Sequence, residues 1–123
     1  MNSIISTYEA GTGGVTKGAA VKLSSGKVVA FTAADDTLVG VALSGAQAGE
    51  EVAVCIAGEC EVLAAGTISD LGLITTNATG RFVAQAASGS QTVDTYGKAL
   101  EGTVSGRYSR AILYDVPVTA VGA

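Results

Sequence analysis

Histidine and tryptophan are absent from the chain, proline occurs once and cysteine twice. Without histidine there is no Ser-His-Asp triad, no imidazole base and no His-bearing metal site. Four tyrosines and two phenylalanines hold aromatics to 5% of 123 residues, too few to line a sugar-binding cleft generously. Charged residues are 15%, below the ~25% of an ordinary soluble domain. Their balance is acidic, seven Lys+Arg against eleven Asp+Glu for a net charge of -4. A phosphate backbone needs a basic face, so no nucleic-acid partner is expected. No apolar run reaches the ~18 residues of a membrane-spanning helix, so no membrane partner is expected either. The opening Met1-Asn-Ser-Ile-Ile-Ser6 lacks the basic flank and apolar stretch of a signal peptide, which points to synthesis in a cytoplasm.

What remains is small and apolar. Hydrophobic residues make up 48% of the chain, most of them alanine and valine, and 17 residues are glycine. The mean hydropathy of +0.45 is the reverse of a disordered composition. One domain of this length buries roughly two-thirds of its unfolded surface. With such small side chains the core is thin, and a partner surface adds apolar burial; a homo-oligomer, or a protein seated on another surface, is expected.

Short apolar runs alternate with turn residues along the chain: Ala20 to Leu23, Lys27 to Thr32, Leu38 to Leu43, Glu51 to Ala57, Cys60 to Leu63, Leu73 to Thr76, Arg81 to Ala84, Gly97 to Val104 and Arg110 to Val116. Turn signals every eight to twelve residues predict an all-β fold, a compact barrel or sandwich of short strands. In Glu51 to Ala57 both alternating sets are apolar, so this strand is central and covered on both faces. Arg110 to Val116 reads the same way, with Pro117 ending its ladder. A turn at Ala57-Gly58 or Gly58-Glu59 separates the strands on either side. Residues 1–14 carry Gly11, Gly13 and Gly14 and no strand pattern after Tyr8. They are expected to be a flexible N-terminal arm ahead of a single β domain over 15–123, either frayed or ordering on a partner through Ile4, Ile5 and Tyr8.

The two halves of that domain repeat. Gly18 to Ala30 and Gly72 to Ala84 each place two glycines eight apart, followed by a basic residue and a short apolar run. Gly40-Val-Ala-Leu-Ser-Gly45 and Gly97-Lys-Ala-Leu-Glu-Gly102 share G-x-A-L-x-G. Val54 and Ile56 then align with Ala111 and Leu113. The units are expected at about 15–57 and 69–116, packed with pseudo-twofold symmetry, with three extra residues of the second copy in the polar loop Ala86 to Thr95. Gly40 and Gly97 either allow two backbones to approach or mark bulges.

No constellation carries catalysis. Asp35-Asp36, Glu50-Glu51 and Glu59 with Glu61 are read as solvated turn charges. None has the D-x-D-x-D-G density of a calcium loop, and no metal or cofactor is expected. Cys55 and Cys60 lack metal-ligand spacing and are expected as free, at least half-buried thiols, a disulfide being the alternative. The chain is not expected to be an enzyme.

Val15-Thr-Lys-Gly18, Ser25-Gly-Lys-Val28, Leu38-Val-Gly-Val-Ala-Leu43 and Ala48-Gly-Glu-Glu-Val-Ala-Val54 resemble the small capsid cement, or head decoration, proteins of tailed bacteriophages. Ala64-Ala-Gly66, Thr79-Gly-Arg-Phe-Val83 and Gly97-Lys-Ala-Leu100 continue the resemblance, which covers about residues 15 to 116. Asp70-Leu-Gly72 departs from the family's usual glycine-aspartate pair. The resemblance implies a non-enzymatic β-rich protein, often a trimer, on the outer surface of a phage head. Its partner would be the major capsid protein, and it would stabilise the capsid by bridging neighbouring subunits. The alternative is a β-barrel binding or adhesin module of a phage tail or surface protein, for which Tyr96, Tyr108 and Tyr114 are the candidate aromatics.

Overall fold

The computed structural model describes residues 3–32, 38–84 and 92–121. Among them every regular element is a strand: β1 (Ser3–Glu9), β2 (Ala20–Ser24), β3 (Lys27–Ala30), β4 (Gly40–Ala42), β5 (Glu51–Leu63), β6 (Leu73–Thr76), β7 (Phe82–Ala84), β8 (Thr92–Ala99) and β9 (Tyr108–Val121). The fold is all-β. One antiparallel, curled sheet runs β3-β2-β4-β5-β9-β8-β6-β7, with β1 paired to β5.

The duplication is written into the register. Val21 opposes Gly40 as Ile74 opposes Gly97. Ala42 opposes Val54 as Ala99 opposes Ala111, the pairing expected from aligning Val54 with Ala111. The glycines before each A-L pair work alike. A Cβ on Gly40 would collide with the Cys55 carbonyl oxygen, and one on Gly97 with that of Ile112. Close backbone approach is therefore what these two glycines permit.

The unit boundaries differ from the expected ones. Ile5, Tyr8 and Glu9 oppose Cys55, Val52 and Glu51; in the same way Glu59, Val62 and Leu63 oppose Ile112, Ser109 and Tyr108. Strand β1 is thus the counterpart of the second half of β5. Each unit starts with a strand that pairs with the unit's own last strand, and β5 ends one unit and begins the next without a break. The turn expected at Gly58 is not a chain reversal. Gly58 takes a φ of 97° inside β5, a conformation open to glycine that lets the strand bend and continue. The flexible arm expected over 1–14 is corrected for the same reason: from Ser3 to Glu9 it is a paired strand, and Ala10, which follows it, is fully buried.

Each unit curls until the residue after its first strand bridges its hairpin, Ala10 to Val28 in the first and Ala64 to Phe82 in the second. Each encloses an apolar core. The first holds Ala10, Val15, Val21, Val28, Ala42, Val52 and Val54. The second places Ala64, Ile68, Ile74, Phe82, Ala99 and Ala111 at matching positions. Ala20, Phe31, Val41 and Cys55, on the first unit's outer side, also join the second core. The two copies are therefore stacked head to tail, not faced across a symmetry axis. Strand β5 is covered on both faces as expected. Strand β9 is not, because Arg110 and Ile112 are exposed. Nor does Pro117 end its ladder: pairing with β8 resumes at Val118 opposite Thr95, after an irregularity. Of the polar loop expected at Ala86 to Thr95, Thr92–Thr95 are strand, and residues 85–91 lie outside the described residues.

Candidate functional site: a junction and two open ends

The junction between the units is built from backbone as much as side chains. The Leu63 amide donates to the Gly18 carbonyl at 2.8 Å, and the Ala20 amide to the Gly80 carbonyl at 2.7 Å. The Tyr108 ring lies against Gly18, where a Cβ would meet it. Lys17 Nζ sits 4.8 Å from the centroid of that ring and 3.5 Å from Glu61. Exposed pairs of this kind contribute up to ~1 kcal/mol each. The burial of Ala20, Val41 and Cys55, all removed from water at the junction, stabilises it more.

The sequence-predicted residues are not gathered at one place. Ile4 and Ile5 are exposed at the start of β1, on either side of a register shift. Tyr8 instead packs against the first core. Ser3 Oγ donates to the Glu59 carbonyl at 2.8 Å, which fastens the start of β1 to the middle of β5. Asp35-Asp36 lie outside the described residues. Three of the other four acids have local partners: the Glu50 carboxylate accepts the Gln47 amide, Glu59 pairs with Arg110 at 3.1 Å, and Glu61 pairs with Lys17; Glu51 is exposed. Among the described residues, no three His, Cys, Asp or Glu side chains cluster as metal ligands.

Cys55 and Cys60 are free and buried. The bend at Gly58 brings them together. The Cys60 thiol hydrogen-bonds the Cys55 sulfur; this contact, burial, and the nearby Glu59 and Glu61 push the ionisation of Cys60 up, while the same contact lowers that of Cys55. Cys60 remains a neutral thiol. Of the candidate aromatics, Tyr96 is buried in the second core, Tyr108 lies against Gly18 at the junction with its outer side exposed, and Tyr114 is half-buried in β9. A cleft of about 460 Å³ opens beside the end of β1, lined by Glu9, Gly11, Thr12, Ser25, Lys27 and Val29 among others. Its two charges are paired with each other, Lys27 Nζ to Glu9 at 3.1 Å.

Besides Ile4, Ile5, Val104 and the junction Tyr108, four large apolar side chains are exposed among the described residues, at positions whose repeat counterparts lie at the junction. Leu71, Leu73 and Ile112 are exposed on the second unit, and Leu23 on the first. Sequence reasoning passed over all four. The available signal was Leu71-Gly72-Leu73, standing in the repeat where Gly18-Ala19-Ala20 stands in the first unit.

In fold, the chain is similar to the N base of head fiber gp8.5 in bacteriophage phi29. The superposition has a TM-score of 0.69 at 18% sequence identity and covers 95% of this chain and 98% of that one. No family model matches the chain, and no curated protein matches it. The gp8.5 base therefore supplies a common fold over almost the whole of both chains.

Proposed function

We propose that this chain is a structural protein of a phage virion, seated on the outside of the head. The observation that carries the reading is the shared fold with the gp8.5 head-fiber base over nearly the full length of both chains. The sequence resemblance to head decoration proteins points to the same place independently. The absence of a histidine base and the local pairing of most described carboxylates fit a surface-binding role. In the finer form of the proposal, the chain is a homo-oligomer, a trimer by that resemblance, that binds the major capsid protein and bridges neighbouring subunits. A lattice multiplies a modest contact over many sites, so each copy needs no more than a standard interface of ~1,600 Å². A second reading follows from the same neighbour: the chain anchors a projecting fibre as its base, and bridging is incidental.

Electron microscopy of virions carrying the chain, and of virions lacking it, tests the proposal. The expected result is density for the two-unit stack on the head surface, lost in the second sample. Heads lacking the chain should also release DNA at lower temperature if it bridges subunits, and at unchanged temperature if it serves only as a fibre base. Density on the tail, or none on the virion, overturns the reading in favour of the adhesin alternative or a non-virion role.

A further inference from the structure

We infer that the free end of the second unit docks onto the free end of the first unit in another copy of this chain, repeating between molecules the junction already present within one. The inference deepens the homo-oligomeric part of the proposed function and rests on it, but does not depend on head binding.

Equivalent positions of the two units differ in a consistent way. On the first unit's outer side, Ala20 and Cys55 are fully buried against the second unit. Their counterparts on the second unit, by register, are Leu73 and Ile112, which are 42% and 39% exposed. Gly18, whose carbonyl and α-carbon meet Leu63 and Tyr108, corresponds to Leu71, with a matching positive φ of 58° and 62% exposure. Side chains that are small or absent where the contact is made inside the chain are thus large and apolar where it is still open.

The receiving end shows the converse. Gly80 at the junction has Ala20 and Phe31 pressed against it, whereas its counterpart Gly26 has nothing within 4 Å of an added Cβ. Thr76, beside the Gly80 turn, is 5% exposed; its counterpart Leu23 is 53% exposed. The junction Tyr108 corresponds to Glu51 and the buried Val41 of the docking side to Lys98, whereas Glu9, the counterpart of the buried Leu63, is already paired with Lys27. Apolar contacts inside the chain become opposite charges on the two free ends. Asp70, the counterpart of Lys17, is held back by accepting the Gly102 amide and does not reach across. In stacks of repeats, an end that is not to be joined is made polar; here both ends keep exposed leucines. The contact is heterologous, so repetition closes a ring where the rotation allows.

Two complementary lesions test this. Leu73→Asp blocks only the docking end and Leu23→Glu only the receiving end. Val104→Glu is the control, because Val104 is exposed and its counterpart Gln47 lies away from the junction. Masses are measured by light scattering across a concentration series, with circular dichroism to confirm folding. The wild type and the Val104 variant should assemble above the 12.1 kDa monomer. Each blocked variant should need about tenfold or more higher concentration to do so. An equimolar mixture of the two blocked variants should form a one-to-one dimer, since one intact end of each remains. Ile112→Ser repeats the docking-side test should Leu73→Asp disturb folding. A monomeric wild type overturns the inference, as does a Leu23→Glu variant that dimerises alone, which would mean like ends meeting. These measurements need no phage heads. Assembly without head binding leaves the inference standing and removes the capsid reading; head binding by a monomer does the opposite.

Discussion

Several single residues are explained by what their counterpart in the other unit does. Gly40 and Gly97 each leave room for a carbonyl oxygen of the next strand, so Gly40→Ala and Gly97→Ala should each destabilise by about 1–3 kcal/mol through overpacking. Gly66, with open space around it and no special φ, should tolerate alanine within ~0.5 kcal/mol; urea unfolding of the three variants checks the contrast. Leu71 holds a left-handed backbone that costs a branched side chain ~1–2 kcal/mol, against the extra unfolded-state entropy of glycine. Leu71→Gly should therefore leave the monomer equally stable or up to ~1 kcal/mol more stable while weakening self-association, which separates folding strain from a docking role. The thiol pair gives a pH dependence. An unfolded cysteine ionises near pH ~8.5, while the folded state holds Cys60 neutral well above that. Its contribution to stability is therefore complete below pH ~8.5 and is lost as pH rises, by up to ~1.4 kcal/mol per pH unit. The same contact lowers the ionisation of Cys55, which acts in the opposite sense below pH ~8.5, so the fall should appear only above about pH 8.5, and the double variant Cys55→Ala/Cys60→Ala should flatten it. A curve for that variant that keeps the slope would assign it to another group.

At the scale of elements, the strands and the repeat were legible, while the place where one unit ends was not. The G-x-A-L pairs and the turn glycines announce β4 and β8 because backbone proximity demands glycine there, whatever surrounds it. Strand β1 was missed because its counterpart hides inside β5. Ser-Ile-Ile-Ser-Thr-Tyr-Glu and the second half of β5 share a role but almost no residues, since one is exposed at the stack's end and the other is buried at the junction. Gly58 misled for a related reason: a glycine between apolar runs reads as a hairpin, and only the register shows that the strand bends and continues. The Gly18–Gly72 alignment was one residue off because Leu71, not Gly72, adopts the positive φ of Gly18. The open ends were illegible, since exposure follows from which unit has a neighbour and not from any local pattern. The status of β1 yields its own expectation. Deleting residues 2–14 removes a paired strand together with the buried Ala10, so the truncated chain should lose its cooperative thermal transition, not merely partner binding. A truncated protein that melts like the full chain would return these residues to the status of an arm.

The described residues form one curled sheet of two stacked units that share core as well as chain. Because Ala20, Phe31, Val41 and Cys55 belong to the first unit and to the second unit's core, the units should unfold in one transition and not two. Val41→Asp, which places a charge in that shared layer, should cost at least ~3 kcal/mol and lower the single midpoint by calorimetry; two resolved transitions in the wild type would contradict the shared core.

The continuity of β5 also has a mechanical meaning. Ser3 and Leu113 both stand in register with Gly58, so the ladders of the two units meet at one point of one strand. Tension that tries to part the units is carried along the covalent backbone of β5, and yielding requires one whole ladder to be sheared away from it. A surface under outward pressure strains the things fixed to it. On the head surface proposed above, such strain would meet a single tie, strand β5, running through both halves of the chain.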